Sequence, residues 1–177
     1  MHTNLVLTLN GHDRVGIVDH VTKLVLEYDG NVEASRMARL GGEFAMLMLI
    51  SVPSEKYETL NAGLKSLEKE NFTVATFQTG NTDTLNYTGW LPYQMEVNGA
   101  DHEGIIHHIT HYLAQRGINI ETMDTSMMKA PMSGTPLFRM TAVIVVPPQL
   151  YVKDWQEDLI NVGDEMNVDI EVSAYTG

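Results

Sequence analysis

Two stretches of this sequence hold the residue types best suited to gripping a small charged molecule. Asn10-Gly11-His12-Asp13-Arg14-Val15-Gly16-Ile17 recurs, 88 residues later and without a gap, as Asn98-Gly99-Ala100-Asp101-His102-Glu103-Gly104-Ile105. Apolar residues at helical spacing follow each stretch, so each sets glycines and main-chain N–H groups at the start of a helix. The helix dipole there favours an anion such as a carboxylate. Asp13 and Asp101 stand where a side chain can cap the helix, and equally where a carboxylate can accept hydrogen bonds from an ammonium group. Amides with a carboxylate make a minimal receptor for an amino acid. The plainer reading stands beside it, because a duplicated fold duplicates its caps and turns too.

Other chemistry finds less support. His107 and His111 are four apart on a helix and could share a metal, but no H-E-x-x-H pattern or third ligand accompanies them. With His108 they fall on the polar side of the helix, away from Ile105, Ile109 and Leu113, as a solvated face does. A metal-dependent hydrolase using His107, His108 and His111 is therefore a minor alternative. Glu68 with Glu70 and Glu157 with Asp158 read as solvating charges. The dinucleotide and phosphate-loop fingerprints are absent. The expectation is no catalytic residue, no metal, no cofactor and no enzyme.

Composition narrows the partners. The chain has 177 residues, 23 acidic against 11 basic, a net charge of −12 and no cysteine. Such a surface repels polyanions, so direct nucleic-acid binding is not expected. No apolar run approaches the roughly 20 residues of a membrane helix, and the first residues do not read as a signal peptide. A reducing cytoplasm fits the lack of cysteine.

The elements that must position the two loops follow from the repeat. His20 aligns with His108, Thr22 with Thr110, Asn31 with Asn119 and Glu33 with Glu121. Beyond the second strand the offset grows to 94, aligning Phe44 with Phe138 and Met46 with Met140. The second copy thus carries a longer hairpin, Met127 to Gly134, which reads as a variable loop or a soft contact surface for a protein. Each copy reads strand, helix, strand, strand, helix, strand. Leu5, Leu7 and Leu9 alternate as in a strand with one buried face. Gly41-Gly42 marks a tight hairpin, and Ser54 stands as an N-cap for the second helix. The fold class is α+β: two ferredoxin-like modules, residues 1–80 and 91–177, each an antiparallel four-stranded sheet with both helices on one face, joined by a polar linker at 81–90 and paired as a pseudo-dimer. On the third strand Phe44, Met46, Met48 and Ile50 belong under the helices. Ala45, Leu47, Leu49 and Ser51 face the other way and are apolar enough to suggest cover by a second chain.

The pattern G-x-D-R-x-G-I before an amphipathic helix resembles the opening of an ACT domain. Ser35-Arg36-Met37-Ala38, Gly42-Glu43-Phe44 and Leu47-Met48-Leu49-Ile50-Ser51 are similar to the glycine cleavage system transcriptional repressor family. The resemblance spans nearly the whole chain. In the second copy His102 replaces Arg14, and Glu103 stands where the family often has proline. The resemblance implies modules paired side by side and a small amino acid, glycine or similar, held at Asn10, Gly11, His12, Asp13, Gly16 and Ile17, and at Asn98, Gly99, Asp101, Gly104 and Ile105. It also implies action through a protein partner such as a DNA-binding activator.

Overall fold

The computed structural model describes residues 1–80, 87–129, 134–151 and 155–176. Most of the expected linker and the centre of the methionine-rich hairpin lie outside the described residues. The chain divides into two compact units, Met1–Leu85 and Asn86–Gly177.

The first unit contains β1 (His2–His12), α1 (Ile17–Glu27), β2 (Asn31–Leu40), β3 (Glu43–Pro53), α2 (Tyr57–Lys65) and β4 (Thr73–Thr79). The second contains β5 (Leu91–Ala100), α3 (Ile105–Gln115), β6 (Asn119–Lys129), β7 (Pro136–Val146), α4 (Trp155–Glu165) and β8 (Val168–Ala174). The sheets run β2-β3-β1-β4 and β6-β7-β5-β8, with antiparallel pairing throughout. The α+β, ferredoxin-like arrangement implied by the repeat is therefore present twice. No helix among the described residues is long and apolar enough to cross a membrane.

Strand alternation builds each core. Leu5, Leu7 and Leu9 of β1 and Met46, Met48 and Ile50 of β3 meet Val21 and Val25 of α1 and Leu60 and Leu64 of α2. Met95, Val97, Met140, Ala142 and Ile144 meet Ile105, Ile109, Leu113 and Leu159 in the second unit. Each such side chain contributes on the order of 2 kcal/mol by leaving water.

The hairpin β2–β3 turns on Gly41 and Gly42 at φ 59° and 90°. A two-residue turn whose twist matches its strands needs positive φ at both positions, which glycine adopts without steric cost. This turn sets Leu40 opposite Glu43 and so fixes the register of the hairpin. In both units the edge strand carries one extra residue near its start. The register slips between Val32 and Ala34 and between Ile120 and Thr122, leaving Glu33 and Glu121 as the inserted residues.

Ser54 does not cap α2 as expected. It opens a 3-10 turn, Ser54–Lys56, ahead of that helix. Its hydroxyl lies 3.1 Å from the Met1 carbonyl and 2.9 Å from the Thr3 hydroxyl, tying down the start of β1 instead.

The faces turned away from the helices differ. In the first sheet the paired strands place Val6, Ala45, Leu47, Leu49, Ala75 and Phe77 there. In the second the same positions hold Gln94, Arg139, Thr141, Val143, Glu171 and Ser173.

Candidate functional site at the two helix openings

Both opening helices start on a glycine. Gly16 sits at φ 95°, ψ 0° and Gly104 at φ 92°, ψ −11°, both left-handed, and neither helix has a side-chain cap. The expectation that Asp13 and Asp101 cap these helices is corrected. The reason is strand length: β1 runs on to His12, paired with Glu43. That carries Asp13 beside the β2–β3 hairpin, where its N–H donates to the Gly42 carbonyl at 3.0 Å. The Asp101 N–H donates to the Pro136 carbonyl at 3.1 Å in the same way. With no side chain capping them, the first-turn amides of α1 and α3 present their donors to an incoming acceptor.

The two openings are not equally free. A methyl group built on Gly16 meets nothing within 4 Å, whereas one on Gly104 lies 3.3 Å from the His108 ring. Against this, Asp19 places an acid in the first turn of α1, and α3 has none there.

The remaining site candidates divide by strand geometry. Ile17 and Ile105 are buried, so only their main-chain groups reach the opening. Gly11 and Gly99 make room for packing: a Cβ on Gly11 would stand 2.7 Å from the Phe72 ring, and one on Gly99 2.6 Å from Val168. Asn10 and Asn98 follow buried Leu9 and Val97 in the strand, so the pleat sends their side chains to the face away from the helices. His12 lies on that face as well, its Nδ1 3.4 Å from Glu43. Asp13 thus stands three residues ahead of Gly16, held at the β2–β3 hairpin, while Asn10 and His12 turn to the face away from the helices.

Several residues at the first opening were not singled out from sequence. The Arg39 Nε lies 3.2 Å from the Asp13 carboxylate. Arg14 donates to Glu70 at 2.7 Å and lies over the Phe72 ring at 4.7 Å, while His20 stands 3.7 Å from Glu70. The signal for Arg39 lay in the register: with Gly41-Gly42 as the turn and Gly11 opposite Phe44, strand pairing carries Asp13 and Arg39 to the same end of the sheet.

The second opening replaces this network with one histidine. His102 Nε2 lies 2.7 Å from the Met166 carbonyl and Nδ1 3.0 Å from the Glu103 carbonyl. A neutral imidazole has a single N–H and cannot donate to both, so the protonated ring suits the place. The Met166 hydrogen bond, then that to Glu103, raises the His102 pKa above its ordinary 6.5, with the Asp101 charge adding to the same effect. Met127 holds the place of Arg39, opposite Phe138 as Arg39 is opposite Phe44.

His107, His108 and His111 are exposed on α3, with ring centroids 5.8 Å apart for the pairs 107–108 and 107–111. His107 and His111 border a shallow groove of about 440 Å³ with Thr110, Asn119 and Ile120. Among the described residues no group of three or more histidine or carboxylate side chains is placed to hold a metal ion.

A family model described as ACT domain matches residues 3–77. The glycine cleavage system transcriptional repressor of Escherichia coli (strain K12) is 49% identical over 47 residues, which is 27% of this chain and 25% of that protein. The chain thus spans about a quarter of the length of that relative. A UPF0237 protein of Methanococcus maripaludis is 33% identical over 69 residues, 38% of this chain and 77% of that protein. Among solved structures, an unknown protein from Galdieria sulphuraria superposes with a TM-score of 0.86 at 32% identity, covering 99% of this chain and 100% of that one. A structure provisionally assigned as a glycine cleavage system transcriptional repressor superposes with a TM-score of 0.71 at 24% identity, covering 100% and 99%, and shows the same fold.

Proposed function

Residues 3–77 match the ACT domain family, and from that premise we propose that the chain is an amino-acid-sensing regulator of the glycine cleavage repressor type rather than an enzyme. The observation that carries this reading is the opening at Gly16: a helix start without a side-chain cap, open space at its glycine, and the Asp13 carboxylate three residues ahead of it. The carboxylate of a small amino acid would accept from the first-turn amides of α1. Its ammonium would take Asp13 in competition with Arg39, in a pair that already faces solvent. Gly11 and Ile17 serve this site through packing and main chain, and Asn10 and His12 stand at its margin. The second opening, with Asn98, Gly99, Asp101, Gly104 and Ile105, is the weaker site, because the His108 ring borders Gly104. Occupancy would be relayed to a protein partner such as a DNA-binding activator. A net charge of −12 argues against touching DNA directly.

Calorimetric titration of the full chain with glycine, serine and further amino acids tests the reading. Asp13→Ala should weaken binding by roughly tenfold or more, as loss of a hydrogen bond between charged groups does, and Asp101→Ala by less. Equal losses would refute the ranking of the two openings. No heat from any amino acid would leave a protein-interaction module without a ligand.

A further inference from the structure

The first sheet's second face is built for burial and is left open. Leu47 is 48% exposed and Phe77 61% exposed, while Val6, Leu49 and Ala75 between them are half-buried. Pairing across the strands puts these with Ala34, Ala38 and Ala45 in one patch around Thr8, which lies between Leu47 and Ala75. One charge, Arg36, stands in it, opposite Leu47, donating to the Ser35 carbonyl at 3.0 Å. Two acids stand at its margins: Glu43 at one end beside His12, and Glu33 in the β2 slip next to Ala34, where it accepts from Asn31 at 2.9 Å. In the second unit the same positions are acidic and polar, with Glu96 3.6 Å from Arg139, and Asp124 and Glu171 alongside. Shared fold geometry therefore does not explain the apolar patch, since its twin dispenses with it.

We propose that this face joins two copies of the chain, sheet against sheet, as a reversible dimer. Three arguments select a second copy. Four strands about 4.8 Å apart and roughly seven residues long make a face on the order of 450 Å² in plan. Two such faces remove on the order of 1,000 Å², the lower end of specific interfaces, which corresponds to weak association. A chain of net charge −12 approaches itself most easily where acids are few, and this face carries them only at its margins, at Glu33 and Glu43. Finally, sheet order makes the face self-complementary. A two-fold axis running along the strands between β3 and β1 lays β2 of one copy over β4 of the other. Arg36 then lies near the partner copy's Phe77, about one two-residue step along the strand, within reach of the ring as a cation–π pair.

Sedimentation equilibrium of the full chain over about a hundredfold concentration range tests this. The native chain should be a concentration-dependent dimer. Leu47→Asp and Phe77→Asp should each weaken association at least tenfold, and Arg36→Glu should weaken it too, all with unchanged circular dichroism. Ser173→Asp, on the equivalent face of the second unit, should leave it unaltered. Should Leu47→Asp fail to fold, the more exposed Phe77→Ser takes its place. A native chain that stays monomeric, or a dimer dissociated by Ser173→Asp and untouched at Phe77, overturns the proposal. Glycine titration of Phe77→Asp keeps this result separate from the ligand site, which Phe77 does not border.

Discussion

The two units share one fold but differ at two places, the opening of the first helix and the sheet face turned away from the helices. At the helix opening, the first unit uses long charged side chains: Arg14 on Glu70, and Arg39 on Asp13. The second uses a histidine held by two carbonyls. The anchoring positions correspond, since Glu70 and Met166 each precede a left-handed asparagine, Asn71 and Asn167. A side-chain carboxylate in one copy has become a main-chain carbonyl in the other. On the open sheet face, apolar residues in the first unit answer acidic and polar ones in the second. Duplication preserved the cores and freed the surfaces to diverge.

The largest test of that comparison lies where the units look most alike. Gly11→Ala and Gly99→Ala should both destabilise the chain, by about 1–3 kcal/mol as overpacking does. Gly99→Ala should cost more, because its new methyl meets main-chain atoms of Asn167 and Val168 at 3.0 Å, whereas on Gly11 the nearest obstacle is the Phe72 ring. Denaturant melts that rank the two the other way would show that the second unit yields more easily than its packing suggests.

A smaller effect separates the openings themselves. Arg14→Ala should cost up to about 1 kcal/mol, the scale of a solvent-exposed ion pair with some ring contact. Raised salt should reduce that loss, since exposed pairs are screened.

The smallest effect is specific to the second unit. The His102 pKa is raised in the folded chain, so its stabilising contribution is complete below the unfolded value of 6.5 and disappears as pH rises through the folded value. Thermal melts on either side of that window should show a pH-dependent difference between the native chain and His102→Gln. A difference of constant size would mean that the ring is held neutral.

Much of this fold was legible because it rests on periodicity. The alternation of Leu5, Leu7 and Leu9 and the Gly41-Gly42 turn follow from local pattern and appear where expected. The site was less legible, because it depends on where strands end. Asp13 reads as a cap only if α1 starts directly after it, and that helix starts at Ile17 with Gly16 in the cap position. Asn10 stood out by its place in the motif, yet the pleat points it away from the helix opening. Ser54 had the right residue type before a helix, but its hydroxyl was claimed by Met1 and Thr3, more than fifty residues away in sequence. Such competition between distant partners leaves no local trace.

The slips at Glu33 and Glu121 bear on how each sheet ends at β2 and β6. Each outermost strand would otherwise offer an uninterrupted ladder of unpaired amides and carbonyls on which further chains could add without limit. The extra residue breaks that ladder's spacing, and its carboxylate makes docking there costly. Strand addition is thus disfavoured at β2 and β6, the two edges that carry the extra residue.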